Sequence, residues 1–332
     1  MSSRTPSNPR FALIIGADGG IGGEIAKALN ARGWSVRALT RRTGAKAATD
    51  DWRGPVAWIR GDAMRAADVI AAAKDASIIV HAANPPGYQI WRGLAMPMLA
   101  NSIAAAKASG ARLMFPGNVY NYGPDAFALL RETSPQHPLT RKGKIRVEME
   151  EMLRAAANEG VRSVVVRAGD FFGPHQPASW FKSLMITPGK PVTSVIYPGD
   201  FETGHAWAYL PDLAETFAEI ADREADLPVF DTFHFGGHWI ARGIDFAEAV
   251  RRAGGHPRAS IKRLPLWFHV ATPFVGFLRE AKEMSYLWQV PVQLDNAKLA
   301  KFLGAEPHTP LEAALTVTLI ELGCLAPMAQ AA

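Results

Sequence analysis

The 332-residue chain has one cysteine, Cys324, so it can make neither an internal disulfide nor a thiolate metal cluster, which fits a reducing compartment. Structural zinc is thereby excluded, and no metal-ligand spacing or Ser-His-Asp pattern stands out in the sequence. No block of one charge is present. The 36 Lys and Arg against 31 Asp and Glu are scattered along the chain, and a net charge of +5 without clustering argues against a nucleic-acid partner. There is no low-complexity tract and no fixed-period repeat, and a hydrophobic content of 48% with 20% charged residues excludes disorder. No apolar run is long enough to span a membrane: Leu264 to Leu278 is interrupted by Pro265, His269 and Pro273 and falls short of the ~20 residues required. That stretch reads as a buried or pocket-lining helix, or else as an interfacial or dimer-contact one. Met1 to Arg10 is polar, contains two prolines and lacks the apolar segment of a signal peptide, so it reads as a frayed tail of a cytoplasmic protein.

What is present is a regular alternation of strand and helix. Phe11 to Ile15 is a short, continuously apolar run ending at glycine, as a buried parallel strand should. Ile21 to Arg32 has helical spacing and closes at Gly33. Strands are expected at 34–39, 56–59, 76–81, 112–115 and 162–167, and helices at 66–74, 96–109 and 145–159. This order predicts an α/β chain with a doubly wound parallel sheet of Rossmann type. After Gly173-Pro174 aromatics and prolines become dense, and the reading is a smaller, interleaved C-terminal substrate domain. The boundaries expected are 10–173 for the nucleotide domain, which regains a strand and helix at about 205–235, with 174–204 and 236–328 on the substrate side.

Between the first strand and first helix lies Gly16-Ala-Asp18-Gly19-Gly20-Ile21-Gly22-Gly23. Glycines are needed there because the turn is tight and the backbone must approach a pyrophosphate closely, while the helix N-terminus turns its amides to the phosphates. A bare glycine cluster is a weak signal, but one placed after a buried strand and opening an amphipathic helix is a strong one. An NAD-selective site usually offers a carboxylate at the end of the second strand. Here that place reads Thr40-Arg41-Arg42, and two guanidinium groups suit a 2′-phosphate. NADP(H) is therefore expected over NAD(H).

With these motifs in view, the chain resembles the extended short-chain dehydrogenase/reductase family, which includes nucleotide-sugar epimerases and dehydratases. Besides the glycine turn, Gly61-Asp62-Ala63 is similar to the family's adenine-contacting segment. His81-Ala82-Ala83-Asn84 is similar to the segment beneath the cofactor ribose, and Asn101 to the helix asparagine. Val119-Tyr120-Asn121-Tyr122-Gly123, Val166 to Pro174, Tyr209 to Leu213 and the closing segment from Leu294 to Leu311 also resemble family segments in the right order. The resemblance covers nearly the whole chain.

The resemblance further implies a Ser or Thr that orients a carbonyl, a Tyr that passes a proton, and a Lys four residues after the Tyr that holds the cofactor ribose. Hydride delivery to a carbonyl leaves an alkoxide that must gain a proton from a placed acid. The matching positions in Leu139-Thr140-Arg141-Lys142-Gly143-Lys144 are read as Asn118, Thr140 and Lys144, so the lysine is kept and the tyrosine is not. An aliphatic hydroxyl is too weak an acid to replace a phenol. Lys144, Lys142 and Tyr120 stand as candidate replacements, with Lys142 read as solvent-facing just before the helix. Tyr122 is read as a packed ring with its hydroxyl satisfied by backbone, His205 as a lone loop histidine, and Asp212 as an N-cap.

The leading expectation is an NADP(H)-dependent oxidoreductase acting on a small molecule, a carbonyl or alcohol compound with apolar surface. A nucleotide-sugar epimerase or dehydratase and a catalytically silent NADP(H)-binding sensor remain as alternatives. A homodimer is open.

Overall fold

The computed structural model describes residues 10–42, 52–85, 91–176, 179–264 and 283–326. The polar tail before Arg10 and nearly all of the apolar stretch from Leu264 to Leu278 lie outside them.

Every residue of β1 (Phe11–Ile15) is buried, as expected of a parallel strand covered by helices on both faces. It leads through the glycine turn into α1 (Gly20–Ala31). There follow β2 (Ser35–Thr40), β3 (Val56–Arg60), α2 (Ala66–Ala72), β4 (Ile78–His81), α3 (Trp91–Ser109), β5 (Arg112–Asn118), β6 (Ala128–Leu130), α4 (Arg141–Ala157), β7 (Ser163–Ala168) and β8 (Asp170–Phe172). Further on come β9 (Ser194–Tyr197), β10 (His205–Tyr209), α5 (Leu210–Asp222), β11 (Phe230–His234), β12 (His238–Ile240), α6 (Gly243–Ala253), β13 (Ser260–Arg263) and β14 (Val292–Leu294). The last two described helices are Ala297–Leu303 and Leu311–Glu321.

Seven strands form one sheet in the order β11-β7-β5-β4-β1-β2-β3. The β1/β2, β1/β4, β2/β3 and β4/β5 pairs are parallel. The chain winds outward from β1 in both directions, which makes the carboxyl ends of β1 and β4 the switch point of a doubly wound sheet.

Two helices start earlier than the sequence pattern predicts. α3 begins at Trp91 and runs through Pro97, where a proline is ordinarily read as a helix boundary. α4 begins at Arg141 rather than Ile145, so Lys142 and Lys144 both lie within it. Its first turn carries Gly143 and three cations, a poor helix signal, and it is held instead by caps described below.

Two compact units result. The first comprises 1–117, 145–166 and 214–232, and the second 118–144, 167–213 and 233–332. In the first, the chain's late return to the sheet is secured by Arg112, 1% exposed. Its guanidinium donates to the carbonyls of Pro228 (2.8 Å), Leu227 (3.1 Å) and Glu224 (3.1 Å), and to the Glu224 carboxylate at 3.3 Å. A buried charge is tolerated when its donors are met in this way.

The second unit is built on a sheet ordered β12-β10-β14-β6, with β8 beside β10, and a two-stranded β9/β13 sheet. The strand His205–Tyr209 therefore belongs to this sheet; the strand that joins the seven-stranded sheet after α5 is Phe230–His234. Its core is aromatic: Trp207 stacks on Phe246 at 4.2 Å and His205 on Trp288 at 3.8 Å between ring centroids.

Candidate functional site

The β1–α1 turn is closed by Gly19 N–H to Gly16 O and Gly23 N–H to Gly19 O, both 3.0 Å. Gly16 has φ +99°, and a Cβ there would lie 2.7 Å from the backbone of Ala82 and Ala83. A Cβ on Gly22 would lie 2.3 Å from the Gly16 carbonyl oxygen. The turn thus packs backbone to backbone against the segment leaving β4, which no other residue type permits. The first amides of α1, at Gly20, Ile21 and Gly22, lie where a helix leaves N–H groups without intrahelical partners. The turn has the cradle that a dinucleotide pyrophosphate requires.

The other residues of this unit read from the sequence are placed as follows. Thr40 is buried, and its hydroxyl accepts from Arg42 N–H at 3.2 Å. The Arg41 and Arg42 side chains are exposed, and the Arg42 guanidinium stands 4.0 Å from the Asp18 carboxylate on the glycine turn. Asp62 turns its chain by accepting from Met64 N–H. Asn101 holds the same loop by donating to Ala63 O at 2.8 Å.

Two cations that the sequence reading missed also belong to this unit. Arg53 donates to Ala17 O at 3.0 Å while lying over the Trp52 ring. Arg146, 7% exposed, reaches Pro116 O and Asn84 Oδ1, both at 3.4 Å, and lies over the Phe115 ring. Those partners sit at or beyond the carboxyl ends of β4 and β5. In sequence Arg146 is one of four basic residues between Arg141 and Arg146, and only burial singles it out.

The candidates in the second unit are arranged differently from the expectation. Asn118 Oδ1 accepts from Tyr120 N–H at 3.0 Å, and Tyr120 is buried. Thr140 is the N-cap of α4: its Oγ1 accepts from Gly143 N–H at 2.9 Å. Glu283 completes the cap by accepting from Arg141 N–H at 2.7 Å and Lys142 N–H at 3.3 Å. Lys144 is exposed, while Lys142, expected in solvent, is 3% exposed with its Nζ 3.8 Å from the Glu283 carboxylate. The cause is helix phase. Because α4 starts at Arg141, Lys142 and Arg146 share the buried stripe with Met149, Glu150 and Leu153, and Lys144 does not.

The capping role carries a prediction. Thr140→Ala should lower stability by about 1 kcal/mol and leave turnover and dinucleotide affinity unchanged; urea denaturation beside steady-state kinetics checks it. A large loss of turnover at unchanged stability would return Thr140 to the chemistry.

Three further readings are corrected. The Tyr122 hydroxyl meets side chains rather than backbone: it receives a hydrogen bond from Arg167 and lies 2.9 Å from His234 Nε2. His205 is in a strand, with its Nε2 2.8 Å from Asp170 Oδ2. Asp212 lies inside the first turn of α5 rather than capping it, and its carboxylate accepts from Thr309 N–H and Oγ1–H at 2.7 and 2.6 Å.

A sheet wound outward from β1 with a glycine turn at its switch point defines a Rossmann-type α/β protein. Residues 12–236 match the NAD dependent epimerase/dehydratase family, and the chain belongs to that family. Among solved structures, it is similar to a UDP-glucose-4-epimerase from Stenotrophomonas maltophila with bound NAD and formylated UDP-arabinopyranose, at 14% identity over 95% of this chain and 98% of that one with a TM-score of 0.75. A putative epimerase from Burkholderia cenocepacia is matched at 17% identity, 96% and 100% coverage, and a TM-score of 0.74. A UDP-N-acetylglucosamine 4-epimerase from Methanobrevibacter ruminantium in complex with UDP-N-acetylmuramic acid is matched at 17% identity, 95% and 98% coverage, and 0.74. At these identities the likeness is one of fold. A relative from Sinorhizobium fredii, "Uncharacterized protein y4nL", is 28% identical over 213 residues, 55% of this chain and 57% of that protein. The matched part thus spans little more than half of that relative's length. Among the described residues no helix is long and apolar enough to cross a membrane.

Proposed function

We propose that the chain is an NADP(H)-dependent oxidoreductase of the extended short-chain type, acting on a carbonyl or alcohol compound with apolar surface. The observation that carries the reading is the glycine cradle at the switch point, with the exposed Arg42 guanidinium 4.0 Å from the turn's Asp18 and no carboxylate among Thr40, Arg41 and Arg42 at the end of β2. Gly16, Gly19, Gly20, Ile21 and Gly22 would hold the pyrophosphate. Arg41 and Arg42 would take a 2′-phosphate, and Asp62, Ala63, Ala82, Ala83, Asn84 and Asn101 would line the adenosine and ribose positions. When bound, the dinucleotide supplies or accepts a hydride. Arg146 takes over the ribose-side role first read for Lys144, since it is the α4 cation that reaches Asn84. Lys142 supplies the proton at Nζ, kept out of bulk water by burial and 3.8 Å from the Glu283 carboxylate. Asn118 orients the substrate oxygen.

Nucleotide-sugar epimerisation is the second reading, favoured by neighbours whose descriptions name UDP-sugars and NAD. A fluorescence titration of purified protein with NADPH and NADH separates the two. The expected result is NADPH binding at least ~10-fold tighter, a gap that Arg42→Ala narrows, and a loss of affinity for both nucleotides on the order of 10-fold in Arg146→Met, the size of one lost charge-assisted contact. NADH binding equal or tighter, with turnover of UDP-sugars, would overturn the first reading. Tight NADPH binding with no turnover on a panel of aldehydes, ketones and enones would identify a sensor instead.

A further inference from the structure

We propose that the second unit carries a binding site for a zinc-like divalent cation, made by Asp212, His238 and His308. One ligand atom from each of these three residues lies within 4.8 Å of the others. They come from three separate places in the chain: the first turn of α5, the first residue of β12, and the segment leading into the helix Leu311–Glu321. All three belong to the same compact unit.

His238 gives the independent sign that something is missing. It is 6% exposed, and its Nε2 is buried with no hydrogen-bond partner. A buried ring nitrogen left unmet is costly whether it carries a proton or a lone pair. The ring that faces it offers no relief: the centroid of His308 is 4.5 Å away at an interplanar angle of 47°, and two imidazolium ions at that distance would repel. A cation between the two rings would give the His238 nitrogen a partner.

The chemistry of the donor set selects the ion. Two imidazoles and one carboxylate suit zinc and its transition-metal neighbours, whereas magnesium and calcium call for oxygen donors throughout. Asp212 is already oriented by Thr309, which donates to both carboxylate oxygens, the arrangement in which a ligating carboxylate is held by its own hydrogen bonds. Donors about 2.1 Å from a tetrahedral ion stand roughly 3.4 Å apart, so the cluster closes on binding. The side chain able to move is His308, which is exposed. The bound ion ties α5 and β12 to the C-terminal segment and leaves its fourth position to water. The exclusion of structural zinc read from the single cysteine therefore holds only for thiolate sites, and a site of two histidines and an aspartate lies outside it.

The test uses the full chain without a histidine tag. Zinc content after dialysis is measured by elemental analysis, cobalt(II) is added to metal-free protein to read its visible spectrum, and Tm is recorded with zinc and with EDTA. The expected results are one zinc per chain, the d–d absorption of four-coordinate cobalt, and a Tm raised by a few degrees. His308→Ala, a change at an exposed position, should weaken zinc binding by about 100-fold or more, since even partners outside the ligand set cost 10- to 100-fold, and should abolish the Tm shift. His238→Ala should do the same. Absence of stoichiometric zinc overturns the site, as does either variant binding zinc as tightly as the parent. None of these readouts depends on dinucleotide binding or turnover.

Discussion

Replacing Lys142 by methionine is expected to lower kcat by about 10²- to 10⁴-fold, the range for loss of a placed proton donor, while Lys144→Met stays within a few-fold of the parent. The two lysines are two residues apart, and helix phase separates them: Lys142 is buried with its Nζ near Glu283, and Lys144 is exposed. Methionine keeps most of the lysine stem's volume, so the variant should fold, which a thermal melt verifies. Lys142→Arg retains the charge but cannot exchange a proton near neutrality. It should therefore remain inactive if proton transfer is the role and recover activity if the role is structural. Tyr120→Phe serves as the comparator, because Tyr120 is the other buried candidate near the start of α4. Loss of turnover in Lys144→Met with Lys142→Met unaffected would restore the Thr140/Lys144 register, and loss in Tyr120→Phe alone would move the proton to the phenol.

Acid should destabilise the protein well above the range in which carboxylates titrate. His81 and His234, one in each unit, are held far below the ordinary histidine value, each at about 3. Burial is the main cause in both, with the Arg146 charge adding to it for His81 and the Arg167 charge for His234. The hydrogen bonds agree. Ser102 Oγ donates its hydrogen to Met98 O and so accepts from His81 Nδ1–H. His234 Nδ1 lies 3.1 Å from Leu130 O, while its Nε2 faces Tyr122 and Arg167. Both rings are folded neutral. Since the folded pKa lies below the unfolded one, the unfolded chain binds more protons between about 3 and 6.5. Stability is therefore fully present above pH 6.5 and falls as the pH drops through that window, by about 1.4 kcal/mol per pH unit for each histidine. Urea midpoints at pH 7 and pH 5 should differ by an amount equivalent to on the order of 4 kcal/mol, a large part of a typical total stability. His81→Asn should halve the part that His81 and His234 contribute, to which His238, held at about 4 by burial, adds its own. An unchanged urea midpoint down to pH 5 would mean that the rings are protonated in the folded state.

Much of the first unit was legible along the chain. β1 is a continuous apolar run, the glycine turn has only one conformation to serve, and the strand-helix rhythm leaves few topologies once crossovers are right-handed. α4 was legible as a helix but not in phase. Its start depends on Glu283, 142 residues after Arg141, and the four residues it adds bring Lys142 onto the buried i, i+3/i+4 stripe of Arg146, Met149 and Glu150. The Thr140/Lys144 pair rested on the family's four-residue spacing, whereas burial singles out Lys142 and Arg146. α3 was shortened for a simpler reason: a proline seven residues into a helix reads as its beginning.

What the sequence by itself determined is the family, a doubly wound plan with six of its seven strands, and the place of the tight glycine turn, because each rests on short-range periodicity or on a backbone shape that glycine alone adopts. The tertiary structure decided which cations of α4 are buried, that Tyr122 and Arg167 enclose His234, and that Asp212, His238 and His308 converge. These depend on contacts between residues tens to more than a hundred positions apart, for which neither spacing nor composition carries a signal.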